Sequence, residues 1–184
     1  MRIAHRRHFG WLALAATTVS VALACSSHPD ADNRAPSYEN LLAFDTAAIR
    51  IVAQDTSRLT VQLAESQDQH TMGLMERRTL APGAGMLFLY PTTQPSDAAY
   101  WMFRTRIALD IAFIDSAGTI GTVLTMQPCP SDLASGCPAY PPSAPYRAAL
   151  EVNAGYFAQH HIIVGSRVML GDTVSRRRAT QPTK

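Results

Sequence analysis

A chain of 184 residues, 47% hydrophobic, 16% charged and 8% aromatic, suits one globular domain with extensions rather than two full domains. Fibrous, collagenous and wholly disordered chains are excluded by the same balance. The formal net charge is +2, yet Arg2, Arg6 and Arg7 precede residue 25, where no acid occurs, and the remainder carries 13 basic against 14 acidic residues. Without the basic face that phosphate neutralisation requires, nucleic acid is not an expected partner.

Residues 1–24 have the layout of a signal peptide. Met1–Gly10 carries three Arg and two His, and Trp11–Ala24 is apolar apart from Thr17, Thr18 and Ser20. Fourteen apolar residues make roughly 21 Å of helix, short of the roughly 30 Å hydrocarbon core, so a permanent span is not expected. Ala22-Leu23-Ala24-Cys25 resembles a bacterial lipobox, which would make Cys25 the diacylated N-terminus and the membrane a partner through its lipid. Arg6-Arg7-His8-Phe9 resembles a twin-arginine export signal. Residues 25–46 read as anchor and tether, residues 47–174 as the folded domain, and residues 175–184, with Arg176, Arg177, Arg178 and Lys184, as a disordered basic tail.

Within the domain, alternation over Ile49–Gln54 and Leu59–Leu63 about a turn at Asp55-Thr56-Ser57 predicts a strand pair. Ser66-Gln67-Asp68-Gln69 has the form of a capping box and predicts a helix from about Gln67 to Glu76. Gly85–Tyr90 reads as a short buried strand, followed by a loop over Thr92–Ala98. Alternation over Ile107–Ile114 and Ile120–Met126 around Asp115-Ser116-Ala117-Gly118 predicts a hairpin. Arg147–Val152 reads as a strand, Asn153 as the cap of a helix over Ala154–His160, and Val168–Leu170 as the last strand. The expected class is α+β, mostly β, a compact barrel- or sandwich-like domain of many short strands with two short helices.

Cys129 and Cys137 lie in a stretch rich in Pro, Gly and Ser with no periodic apolar pattern. With Cys25 committed to lipid, these two are free to form a disulfide in an oxidising compartment. A metal pair, which would lack further ligands at zinc spacing, and two free thiols are the alternatives. No metal or other cofactor is expected.

Gly73-Leu74-Met75-Glu76-Arg77, Gly85-Met86-Leu87-Phe88, Trp101-Met102, Thr105, Ile107–Asp115 and Leu150–Gly155 resemble, in order, the domain-of-unknown-function family 192 from about Ile51 to Asp172. The resemblance implies a small β-rich bacterial or archaeal domain, often secreted or lipid-anchored, without established activity. Where the family reads Trp-Met-Lys-Asn-Thr, with Pro before Leu-Asp, this chain has Phe103, Arg104 and Ala108.

Candidate ligand-binding residues are Arg77, Trp101, Thr105, Asp110 and Glu151. Asp110 shares a strand face with Ala112 and Ile114, where a charge needs a partner; Arg77 is the expected one, and Glu151 is a second acid able to join. Asp115 reads as a turn residue and His70 as a solvent-facing helix residue. Met72, Met75, Met86 and Met102 with Trp101 read as core filler in preference to a soft, copper-type ligand face. No catalytic residue is assigned, since serine-elbow, zinc-protease and phosphate-loop motifs are absent. The expected function is a non-enzymatic binding or accessory lipoprotein facing the periplasm or cell exterior, with a small polar ligand or an envelope protein as partner. The alternatives are an envelope hydrolase or carbohydrate-active enzyme using Asp110 and Glu151, and an assembly protein docking through Tyr100-Trp101.

Overall fold

The structure, a computed structural model, describes residues 42–171. The expected signal peptide, Cys25, most of the tether and the basic tail lie outside the described residues. Nine strands and two short helices follow in chain order: β1 (Asp45–Val52), β2 (Thr56–Ala64), α1 (Gln67–Met72), β3 (Ala84–Gln94), β4 (Tyr100–Trp101), β5 (Leu109–Ile114), β6 (Ile120–Met126), β7 (Ala139–Tyr140), β8 (Tyr146–Asn153), α2 (Tyr156–Gln159) and β9 (Arg167–Leu170). Seven strands form one curled sheet, a half-barrel, in the order β6-β5-β8-β3-β2-β1-β9, and β4 pairs with β7 in a separate ribbon. The domain is α+β and mostly β, as its alternating pattern predicts.

Among these pairings only β2 with β3 is parallel, and α1 lies in the crossover that parallel neighbours require. The two sheet edges meet at one end, where Ile120 N–H donates to Ser166 O (2.9 Å) and Val168 N–H to Gly118 O (2.8 Å). Gly118 makes this approach possible: its φ is 85°, and a Cβ there would stand 2.8 Å from the Val168 carbonyl oxygen.

The curl divides the apolar residues into two cores. The inner one draws Ile51, Val61, Leu87, Ala112, Leu150 and Val168 from six strands and is capped by Phe157 of α2. The outer one covers β3, β5 and β8 with Leu74, Met86, Phe88, Met102, Ile111 and Phe113. Strand β5, between β6 and β8, is therefore buried on both faces, every residue of it.

Several expectations are corrected. Helix α1 has its capping box, Ser66 Oγ accepting from Gln69 N–H, but ends at Met72, because Gly73 (φ 48°) turns the chain away. Strand β3 runs through Pro91 to Gln94, with its pairing to β8 interrupted after Leu89, where a proline is tolerated. The register between β5 and β6 shifts at Gly121, so Ile120 enters the inner core and Met126 the outer one, despite the unbroken alternation in sequence. Helix α2 is a single turn behind Gly155, and Asn153 does not cap it but donates from Nδ2 to Leu80 O (2.9 Å).

The expected Arg77–Asp110 tie is not formed. Asp110, 3% exposed, faces the inner core, accepting from Thr125 Oγ1 (2.7 Å) and from the backbone N–H of Phe157 (3.2 Å). Arg77 instead donates to Gln62 Oε1. Gln62 lies in register with Met86, Glu151 and Ile111, a row that points to the outer face. Asp110 is opposite Val152 in the neighbouring row, so it and Glu151 point to opposite faces of the sheet. This parity removes the Glu-Arg-Asp cluster and, with it, the glycosidase-type pairing of Asp110 with Glu151. Asp115 behaves as expected: its Oδ1 accepts from Ala117 and Thr119 N–H, each at 2.8 Å, and holds the hairpin turn.

A candidate ligand-binding cleft

Glu151 sits in the middle of β8, where its side chain must enter the outer face. Its neighbours in that row are Met86 and Ile111, which give no hydrogen bond. The segments covering this face leave a cavity of about 130 Å³ over the carboxyl group. Helix α1 supplies His70 and Met72, and the turn after Gly73 supplies Met75; β3 supplies Phe88 and Tyr90, and β4 and the following turn supply Tyr100, Trp101, Phe103 and Thr105. Of the sequence candidates, Trp101, Thr105 and Glu151 meet here; Arg77 and Asp110 do not line this cavity.

Glu151 is 5% exposed and Thr105 7%. Among the described residues no donor is found for the Glu151 carboxyl, and burial alone pushes its pKa up to about 8, because the charged form loses hydration without replacement. Burial is also the main reason that Tyr90 titrates above its ordinary value and Tyr100 well above it; the nearby Glu151 charge adds to both. Their hydroxyls lie 2.6 Å apart. His70 is not solvent-facing as expected. Its Nε2 lies 3.0 Å from Ala64 O and 3.2 Å from Leu89 O, so it must carry the hydrogen, and its ring rests 4.5 Å from that of Tyr90. The methionines separate: Met86 and Met102 are fully buried core, as expected, whereas Met72 and Met75 line the cavity.

Thr105 is delivered by a turn in which Met102 O accepts from Thr105 N–H (3.1 Å) and Arg104 adopts φ 57°. An asparagine tolerates that left-handed conformation better than an arginine, which accounts physically for the family's residue there. Arg104 turns its side chain to Glu76 (2.6 Å), which also receives Arg106 (2.9 Å). The departure therefore alters a backbone turn, and no guanidinium enters the cleft.

A shallower groove of about 300 Å³ continues past His70, Tyr90 and Tyr100 towards Gln67 and Gln94. Trp101, 48% exposed, stands where the two meet, with Phe103 at 5.8 Å beside it, while Tyr100 turns inward onto Tyr90. The strand partner of β4 is β7, and β7 follows directly on the Cys129–Cys137 disulfide, whose Cα atoms are 5.2 Å apart. Reduction is expected to lower stability by at most about 2–3 kcal/mol, the loop being short. Its larger effect is faster amide exchange over residues 128–140 and at Tyr100 and Trp101. Exchange that quickens only around Cys129 and Cys137 would show that the cleft wall stands without the bridge.

Fold and site together define a small half-barrel domain with a buried carboxyl at the floor of an aromatic cleft. The family model DUF192, uncharacterized ACR, matches residues 49–170, and the chain belongs to this family. It is similar in structure to a protein of Sinorhizobium meliloti 1021 that carries the provisional description of a transcription regulator. That match has 31% identity and a TM-score of 0.62, covering 70% of this chain and 96% of that one. A protein of unknown function from Novosphingobium aromaticivorans DSM 12444 matches at 23% identity and a TM-score of 0.61, covering 73% and 98%; it speaks for the fold alone. No curated protein matches the chain.

Proposed function

We propose that the protein is an exported, lipid-anchored binding module of the cell envelope whose domain takes a small molecule in the cleft over Glu151. One observation carries the reading: Glu151 and Thr105, both largely buried residues, line an aromatic-walled cavity, and among the described residues no side chain or backbone group is hydrogen-bonded to the Glu151 carboxyl. Unpartnered polar groups cost stability, and a ligand that supplies the missing hydrogen bonds or charge is the functional reason to keep them. Binding is favoured over hydrolysis because the second acid, Asp110, lies on the far side of the sheet. The balance of 13 basic and 14 acidic residues beyond residue 24 gives no support for carrying over the transcription-regulator description.

Support for export comes from the N-terminal apolar segment, from Cys25 at its end and from a disulfide of the kind that persists in oxidising compartments. Mass spectrometry of the mature protein is expected to show a diacylated N-terminal Cys25 and recovery with membranes. An unmodified N-terminus elsewhere, or full solubility after export, overturns the anchor. For the cleft, thermal melts against separate sets of amines, sugars and carboxylates should find a class that raises the melting temperature of the native protein but not of Thr105→Val with Glu151→Gln. Stabilisation that survives both substitutions places binding elsewhere.

A further inference from the structure

The cleft's charge inventory is one-sided. Its lining includes one acid and neither Arg nor Lys. The guanidiniums that flank Thr105 in sequence, Arg104 and Arg106, turn to Glu76, and Arg77 bonds to Gln62, two strands from Glu151. The titratable groups that line the cavity with Glu151 are His70 on α1, Tyr90 on β3 and Tyr100 on β4, none of them a permanent cation, and Arg147, four residues back along β8, does not line it but donates from Nε to Tyr90 O (2.7 Å). Among the described residues, the cavity lining thus supplies no fixed positive charge to balance a Glu151 carboxylate.

We propose that the cleft binds an organic cation, an N-methylated ammonium group held between Glu151 and the surrounding rings. This rests on the binding function above and adds the ligand class. Six rings line the same cavity as the carboxyl: His70, Phe88, Tyr90, Tyr100, Trp101 and Phe103. Aromatic rings attract cations through their quadrupole, most strongly where water is excluded, and Trp is the best of them. The thioethers of Met72 and Met75 add polarizable contacts. A primary ammonium brings three N–H donors and is held best by a ring of oxygens, whereas most side chains of this wall are rings and thioethers, and the Tyr90 and Tyr100 hydroxyls engage each other. A methylated ammonium has few or no N–H groups to satisfy and spreads its charge over methyls that rings and thioethers can touch.

The proton on Glu151 gives the binding a pH signature. Below about pH 8 the carboxyl is protonated, so a cation that pairs with the carboxylate must expel that proton to solvent. Affinity then rises about tenfold per pH unit towards pH 8 and levels above it. A neutral ligand that accepts a hydrogen bond from the acid would do the opposite and weaken above pH 8.

Calorimetric titration of the full chain with tetramethylammonium chloride, neopentyl alcohol as its uncharged analogue of similar shape, methylammonium chloride and glucose, from pH 6 to 9, tests this. The expected result is binding of tetramethylammonium in preference to the other three, with about one proton released per ligand at pH 6–7 and at least a tenfold loss at pH 8 in Glu151→Gln. Circular dichroism of that variant verifies that it is folded, and Trp101→Ala should weaken binding by a separate route. Equal, pH-independent binding of neopentyl alcohol, tighter binding of methylammonium, or glucose binding that weakens above pH 8 overturns the methylated cation while leaving a binding cleft. If none of the four binds but another class in the thermal melts does, only the cation falls. Silence in both experiments removes the binding function as well.

Discussion

Glu151→Gln is expected to stabilise the domain at pH 9 by about 4–5 kcal/mol, in the order-of-magnitude sense that each pKa unit is worth 1.36 kcal/mol. The native carboxyl titrates at about 8 in the folded protein, against a reference of 4.5 for an exposed glutamate. The folded state therefore holds its proton over a range in which the unfolded chain has already lost it. Folded stability is highest below about pH 4.5, declines as pH rises from about 4.5 to about 8, and is level above that, where both states are ionised. A glutamine of similar shape does not titrate, so its profile lacks this decline and the gap between the two proteins opens across that window. Urea unfolding at pH 5, 7 and 9 measures it directly. Parallel profiles would mean that the carboxyl finds solvent or a partner in solution and is not held in a desolvated cleft. A residue that destabilises its own fold at neutral pH, when the neutral isostere fits the same space, has the energetic profile of a binding group.

Much of this architecture is readable from local pattern. The period-two alternation of Ile107–Ile114, the Asp115–Gly118 turn and the Ser66–Gln69 capping box are each determined by residues a few positions apart, and each is found. The disulfide follows from cysteine bookkeeping and the poverty of the segment between. The site was readable only in part, because it depends on register. Whether Asp110 and Glu151 share a face is decided by the pairing Asp110↔Val152 between β5 and β8, a relation over more than forty residues that neither strand's own alternation records. A shift of one residue would have put both carboxylates on one side. His70 was hidden for a similar reason: its position on a short polar helix suggests solvent, but its hydrogen-bond acceptors are the carbonyls of Ala64, at the end of β2, and Leu89, in the middle of β3. Tyr90 and Phe88 lie within an apolar run that reads as core, and only the outer cover formed by α1 and β4 makes them a wall. The signal that could have drawn attention to them is the run of aromatics at alternate positions on β3, Phe88 and Tyr90, facing the same way as Glu151's partner Met86.

Asp110→Ala is expected to cost about 2–4 kcal/mol, although Asp110 touches neither the cleft nor an arginine. Its two oxygens join three elements: Oδ1 takes the hydroxyl hydrogen of Thr125 on β6, and Oδ2 takes the backbone N–H of Phe157 in the first turn of α2. Helix α2 is one turn long and begins at a glycine without a side-chain cap, so Asp110 supplies from the sheet what the helix's own sequence lacks. Phe157 in turn closes the inner core, and losing the anchor releases a large apolar plug as well as two charge-assisted hydrogen bonds. Asp110→Asn keeps an acceptor for one of the two donors and should lose roughly half as much, whereas Thr125→Val, at an exposed position able to exchange its bond for water, should lose about 1 kcal/mol or less. Urea unfolding of the three variants gives the order, and amide exchange at Phe157 identifies the cause. If Asp110→Ala left exchange at Phe157 unchanged while lowering stability, the carboxylate would be acting through the sheet alone and α2 would be held by the packing of Phe157.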